Sequence, residues 1–159
     1  MKKIILSDAE PQFDSNSTDL AKIVTSRLGL LPRKRGSNDS MHKILIELYE
    51  RTKTATRSKK PENAIMTVEE MSAFAGITKQ TMYEYLERWL VLDLLAKVSF
   101  IGADSKVVKG YKLNGANLEE AFKRIKNVVN NNLSQTEKMI SDLQKMLKNE
   151  KIKKSMTKD

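Results

Sequence analysis

The chain of 159 residues has no cysteine, so disulfides, thiolate metal sites and thiol redox sensing are all excluded. It has a single histidine, His42, next to Met41 and Lys43 at the start of a helical pattern. With no base partner or cluster in view, His42 reads as a capping or surface residue, and acid–base catalysis finds no support. There is no glycine-rich phosphate loop, metal-ligand spacing or nucleophile motif. No apolar run approaches the roughly 18 to 20 residues of a membrane span. Met1-Lys-Lys-Ile-Ile-Leu6 imitates the start of a signal peptide, but polar Ser7-Asp8 cuts the apolar region short. The expectation is an intracellular, soluble, non-enzymatic protein without metal or cofactor, cytoplasmic or, in a prokaryote, nucleoid-associated.

Acidic residues are outnumbered, 20 against 29 lysines and arginines, for a net charge of +9. Such a balance favours polyanions and says nothing about fold. The most informative run is Met66 to Trp89, in which two short helical patterns meet at Gly76-Ile77, the layout of a helix-turn-helix. Thr67 and Glu70 have the spacing of a capping box. Val68, Met71, Phe74 and Ala75 line one helical face. Gly76 suits the left-handed residue that ends a helix. Ile77 is placed to plug the core between the helices, and Thr78 is a natural N-cap for the second one. On that second helix Met82, Leu86 and Trp89 form the buried stripe with Tyr85 beside it. Lys79, Gln80, Thr81, Tyr83, Glu84, Glu87 and Arg88 fall on or near the outward face, from which alone a helix can reach a major groove. An ordinary amphipathic pair in an all-α core is the competing reading.

After Trp89, an apolar exit leads into Ala96–Ile101, the turn residues Gly102-Ala-Asp-Ser105, and a second run Lys106–Leu113. Two β-forming runs about such a turn predict a hairpin, the position of a wing. A first core helix is expected from Ser40 to about Thr54, where Met41, Ile44, Leu45, Leu48 and Tyr49 repeat with helical spacing.

Gly76-Ile-Thr-Lys-Gln-Thr-Met82, with Leu86 four residues on, resembles the recognition region of winged-helix transcriptional regulators, with an archaeal flavour. The resemblance spans about Asp39 to Leu113 and singles out no individual member. It implies DNA contacts by Lys79, Gln80, Thr81 and Tyr83, and by Lys106 and Lys109 on the wing. Thr78, Glu84 and Arg88 complete the candidate set on this helix. The chain departs from the family pattern in three places. Glu84 and Glu87 put negative charge on the reading helix, and Asp93 stands where a glycine often precedes the wing strand.

In the N-terminal flank, Ser17 to Leu28 predicts a short helix with Leu20, Ile23, Val24 and Leu28 in line and Gly29 as its stop. Arg33, Lys34 and Arg35 are open to two readings, a phosphate-gripping or minor-groove arm or a solvated linker. Arg51 to Lys60 carries five positive charges and no acid, and is expected to fray from the first core helix into a loop before Pro61.

Beyond Leu113, Asn117 and Glu120 mark a helix start for a region running to about Lys151. Leu118, Phe122, Ile125 and Val129 alternate spacings of four and three, a coiled-coil seam, which Met139, Leu143 and Met146 resume. Leu133, Ile140 and Leu147 widen it toward bundle packing. Asn130-Asn-Asn132 leaves one long helix and a broken pair both open. A stripe this long calls for a partner, most simply a second copy. The expected fold class is mainly α with a small β-hairpin wing, a winged helix-turn-helix core plus a C-terminal coiled-coil or bundle helix. Its parts are an N-terminal extension (1–36), the DNA-binding domain (37–116), the dimerisation helix (117–152) and a disordered basic tail (153–159). The expected partners are double-stranded DNA and a second copy of the chain.

Overall fold

The computed structural model describes residues 16–30 and 40–157. It is mainly helical, with one two-stranded antiparallel hairpin and a long C-terminal helix. The chain divides into two units, one ending at Ile125 and the other starting at Lys126.

Local chemistry explains where most elements begin and end. Helix α1 (Ser17–Arg27) is capped by Asn16, whose Oδ1 accepts from the Asp19 amide at 2.9 Å. It ends at Gly29, φ 69°, where Leu30 N–H reaches the Thr25 carbonyl and Gly29 N–H that of Ser26. These are the paired bonds of a Schellman motif. The face expected to be buried is displaced. Leu20 and Val24 are exposed, whereas Ala21 and Thr25 are buried. Thr25 turns its hydroxyl back to the Ala21 carbonyl at 2.8 Å, so its burial leaves no orphaned donor.

Helix α2 (Met41–Ser58) runs further than the sequence suggested. Its basic second half is helical, not frayed, because it remains against the core through Thr52 and Ala55, both buried. Arg51 is tied down on three sides. It donates to Glu47 (3.0 Å), Glu70 (2.6 Å) and the Ile65 carbonyl (3.1 Å). Burial alone would lower its pKa, but the two carboxylates outweigh this and raise it. His42 is buried at 2% exposure, which corrects its reading as a cap or surface group. It lies beside Met41 and one turn from Leu45, on the side of α2 that faces the core.

A 3-10 turn (Pro61–Ala64) leads to Met66, which pairs with Tyr111 through two 2.8 Å backbone bonds. Helix α3 (Val68–Ala75) follows. Thr67 accepts from the Glu70 amide at 3.2 Å, the expected half of a capping box, while the Glu70 carboxylate goes to Arg51. Val68, Met71 and Ala75 are buried, but Phe74 is 46% exposed, off the arc that the neighbouring helices cover. Gly76 adopts φ 69°, and Ile77 is half-buried.

Helix α4 (Lys79–Val91) is capped by Thr78, which accepts from the Thr81 amide. Met82, Leu86 and Trp89 are buried at 0–1% exposure. The helix closes with another Schellman pair, Leu94 N–H to Trp89 and Asp93 N–H to Leu90. Asp93 sits at φ 63°. This is the left-handed conformation for which a glycine would be the easier choice. The Asn114 amide steadies it, donating to the Asp93 carbonyl and carboxylate at 3.1 and 3.0 Å.

Strands β1 (Leu95–Ile101) and β2 (Val107–Leu113) pair from Leu95↔Leu113 to Ile101↔Val107. Gly110 lies under the Met66 connection. A Cβ there would come within 2.3 Å of the Ile65 side chain and 3.0 Å of the Met66 carbonyl, so only glycine lets the backbones approach.

Helix α5 (Leu118–Met156) is a single continuous helix, which resolves the choice left open at Asn130–Asn132. Asn117 accepts from the Glu120 amide at 2.9 Å, and Glu120 reaches back to the Ala116 amide at 3.1 Å. The helix continues through Lys153–Met156, where a disordered tail was expected. Its first two turns belong to the first unit, since Ala121 and Ile125 are 0% and 2% exposed. Among the described residues no helix is long and apolar enough to cross a membrane.

Candidate nucleic-acid interface

The candidates on α4 separate into four groups. Thr78 and Thr81 serve the helix start, their hydroxyls 2.9 Å apart. Arg88 is half-buried and donates to the Gly29 carbonyl at 3.1 Å. It holds α1's terminus to α4, so it is a tether in this structure and not part of an open reading face. Lys79 pairs with Glu69 at 3.2 Å, both 59% exposed. The Glu69 carboxyl is held below its usual range, first by its own backbone N–H and then by Lys79. Gln80, Tyr83 and Glu84 remain open. With Glu87, Leu86, Leu90 and Tyr111 they line a shallow depression of about 630 Å³.

The hairpin supplies the positive charge. Lys106 and Lys109 are exposed as expected. They join Lys97, Glu69, Asp104, Tyr83 and Tyr111 around a second groove of about 430 Å³. Lys97 was missed from the sequence. It lies directly opposite Tyr111 in the register, on the same sheet face as Lys109, and the period of two along each strand carried that signal. Tyr83 and Tyr111 line both depressions, which makes the α4 face and the lysine-bearing hairpin one surface. Burial, and then the neighbouring Tyr83, push the Tyr111 phenol above its ordinary pKa. Such a surface offers the exposed Tyr83 ring and a polar amide beside three ammonium groups, with Tyr111 buried beneath, the carboxylates of Glu84 and Glu87 on its α4 side and those of Glu69 and Asp104 beside the lysines.

Arg33, Lys34 and Arg35 lie outside the described residues. Of the residues assigned to dimerisation, Ile125 is buried in the first unit and cannot serve a seam. Val129 is half-buried. Leu118, Phe122, Leu133, Met139, Ile140, Leu143, Met146 and Leu147 are 38–66% exposed. Ile152 and Met156, not foreseen, are exposed as well. Among the described residues no group of three or more histidine or acidic side chains is placed to hold a metal ion. Compared with protein-family models, curated proteins and solved structures, the chain finds no match.

Proposed function

We propose that the protein is a dimeric winged-helix DNA-binding protein that regulates transcription. The observation that carries this reading is the continuity of the exposed α4 face with Lys97, Lys106 and Lys109 through Tyr83. The order α2, α3, α4 and hairpin, with Met66 bridged to Tyr111, supports a winged-helix core. In this mechanism α4 enters the major groove and presents Gln80, Tyr83 and Glu84 to base edges, Glu84 as an acceptor from a cytosine amino group. The hairpin lysines hold phosphates and set the register without reading sequence. Association through α5 beyond Lys126 joins two such heads, favouring an inverted repeat with half-sites about one helical turn apart.

Fluorescence anisotropy with operator-like and random duplexes at two salt concentrations tests the reading. Gln80→Ala or Tyr83→Ala is expected to reduce discrimination by about 1–3 kcal/mol. Replacing Lys97, Lys106 and Lys109 by alanine should weaken all duplexes alike and flatten the salt slope. No binding to either duplex would remove DNA as the partner and leave a protein-interaction role. One observation favours a second reading, an architectural DNA-binding role with little sequence preference. Lys79 and Arg88 are engaged within the chain, while Glu84 and Glu87 are exposed on α4. A steep salt slope without discrimination would select it.

A further inference from the structure

A third concavity, of about 530 Å³, is built from other elements: the end of α2, the 3-10 turn, the end of β2 and the first turns of α5. Three cations line it, Lys59, Lys112 and Arg124, and no carboxylate does. Among the described residues neither Lys59 nor Lys112 forms an ion pair, and Arg124 meets Asp93 only at 4.0 Å. Cations gathered in a concavity repel one another, and its low-dielectric walls focus their combined field on whatever enters.

Lys59 closes α2 at φ 56°, ψ 32°, the left-handed conformation that commonly ends a helix, with its N–H on the Ala55 carbonyl. A lysine carries a steric cost there that glycine would avoid, and it sets a cation on the concavity. Arg124 contributes a planar fork suited to phosphate oxygens, and the two lysines contribute point charges. Ala64 and Leu113 give part of the wall an apolar character. The volume lies in the range of small-molecule sites, roughly 300–1,000 Å³.

We propose that this concavity binds a phosphate group of two or more negative charges carried on a small organic body, such as a nucleoside diphosphate. The site stands whether or not α4 reads DNA. The test is a backbone-amide NMR titration of the full chain at fixed ionic strength, using ADP, inorganic pyrophosphate, adenosine and a short duplex. ADP should produce saturable shifts confined to residues 55–60, 112–116 and 124, with pyrophosphate weaker and adenosine inert. Lys59→Gln combined with Lys112→Gln should weaken ADP by roughly tenfold or more. Lys59→Gly relieves the backbone while removing the charge, so it should fold at least as well and still lose affinity. Saturation by the duplex alone would overturn the small-molecule ligand and assign the phosphates to the DNA backbone. Shifts spread evenly over the α5 lysines, no saturation by any phosphate, or unchanged affinity in the double variant would overturn the proposal.

Discussion

Ala121 and Ile125, at the start of α5, are 0% and 2% exposed, whereas Ile140 and Leu143, further along the same helix, are 59% and 54% exposed. The methionines divide in the same way. Met66, Met71 and Met82 are 0% exposed in the first unit, against 66%, 59% and 75% for Met139, Met146 and Met156. Residue type and helical spacing are alike on the two sides of Ile125. What differs is the presence of other elements within the unit to pack against. In the first unit each buried aliphatic side chain stabilises the fold by roughly 1.5–3 kcal/mol. In the second, one helix stands on its backbone bonds, which are marginal for an isolated helix in water.

The largest expected effect tests this division directly. Ile125→Asp places a carboxylate in the core and should cost more than about 3 kcal/mol, unfolding the first unit. Ile140→Asp should leave that unit's melting unchanged and abolish the proposed self-association. Circular-dichroism melts with sedimentation equilibrium read both outcomes. If Ile140→Asp lowered the core melt as Ile125→Asp does, the division at Ile125 would be wrong.

Truncation sharpens the same boundary. Ending the chain after Ile125 should leave a folded monomer. Ending it after Asn114 removes Ala121 and Ile125 and should cost about 3 kcal/mol. Equal stability of the two truncations in urea would show that the first turns of α5 contribute nothing to the core.

Arg51→Met removes three bonds, one within α2 to Glu47 and two that join α2 to Glu70 of α3 and to the Ile65 carbonyl. It is expected to cost about 1–2 kcal/mol, reduced by the partial exposure of the site. Glu70→Gln should reproduce part of that loss, and a double-mutant cycle would apportion it.

Tyr111 provides a pH dependence. Its pKa is raised in the folded state, so its contribution is fully present below the ordinary phenol value of about 10. That contribution is lost as pH rises through the folded value. Tyr111→Phe should therefore flatten the fall in stability above about pH 10, and a parental melt already flat there would contradict the buried phenol. Smallest of all is Lys79→Ala. The exposed pair with Glu69 should change stability by no more than a few tenths of a kcal/mol, so any larger effect on DNA affinity would belong to binding and not to folding.

Much of the fold was legible because it rests on neighbours in sequence. The caps at Thr67, Thr78 and Asn117, the stop at Gly76 and the stripe Met82–Leu86–Trp89 each follow from bonds or spacings within a few residues. Less of the candidate site was legible. The outward position of Gln80 and Tyr83 follows from helical phase. The tether of Arg88 to Gly29 spans 59 positions, and the union of Tyr83 with Lys97 needs the hairpin folded against α4. Phe74 was misplaced, and so was the buried face of α1, for a related reason. Periodicity names a stripe, and only the neighbouring elements decide which arc of it they cover.

Local features were written in the chain: the order of helices and hairpin, the caps at Thr67, Thr78 and Asn117, and the apolar stripe of α5. The tertiary structure decided which parts of those stripes are buried, that Lys59 and Arg124 converge on one concavity, and that Ile125 belongs to the core. Hydrogen-bonded caps and helical phase are short-range and encoded within a few residues. Burial is a property of what the rest of the chain brings alongside, and no window along the sequence contains it.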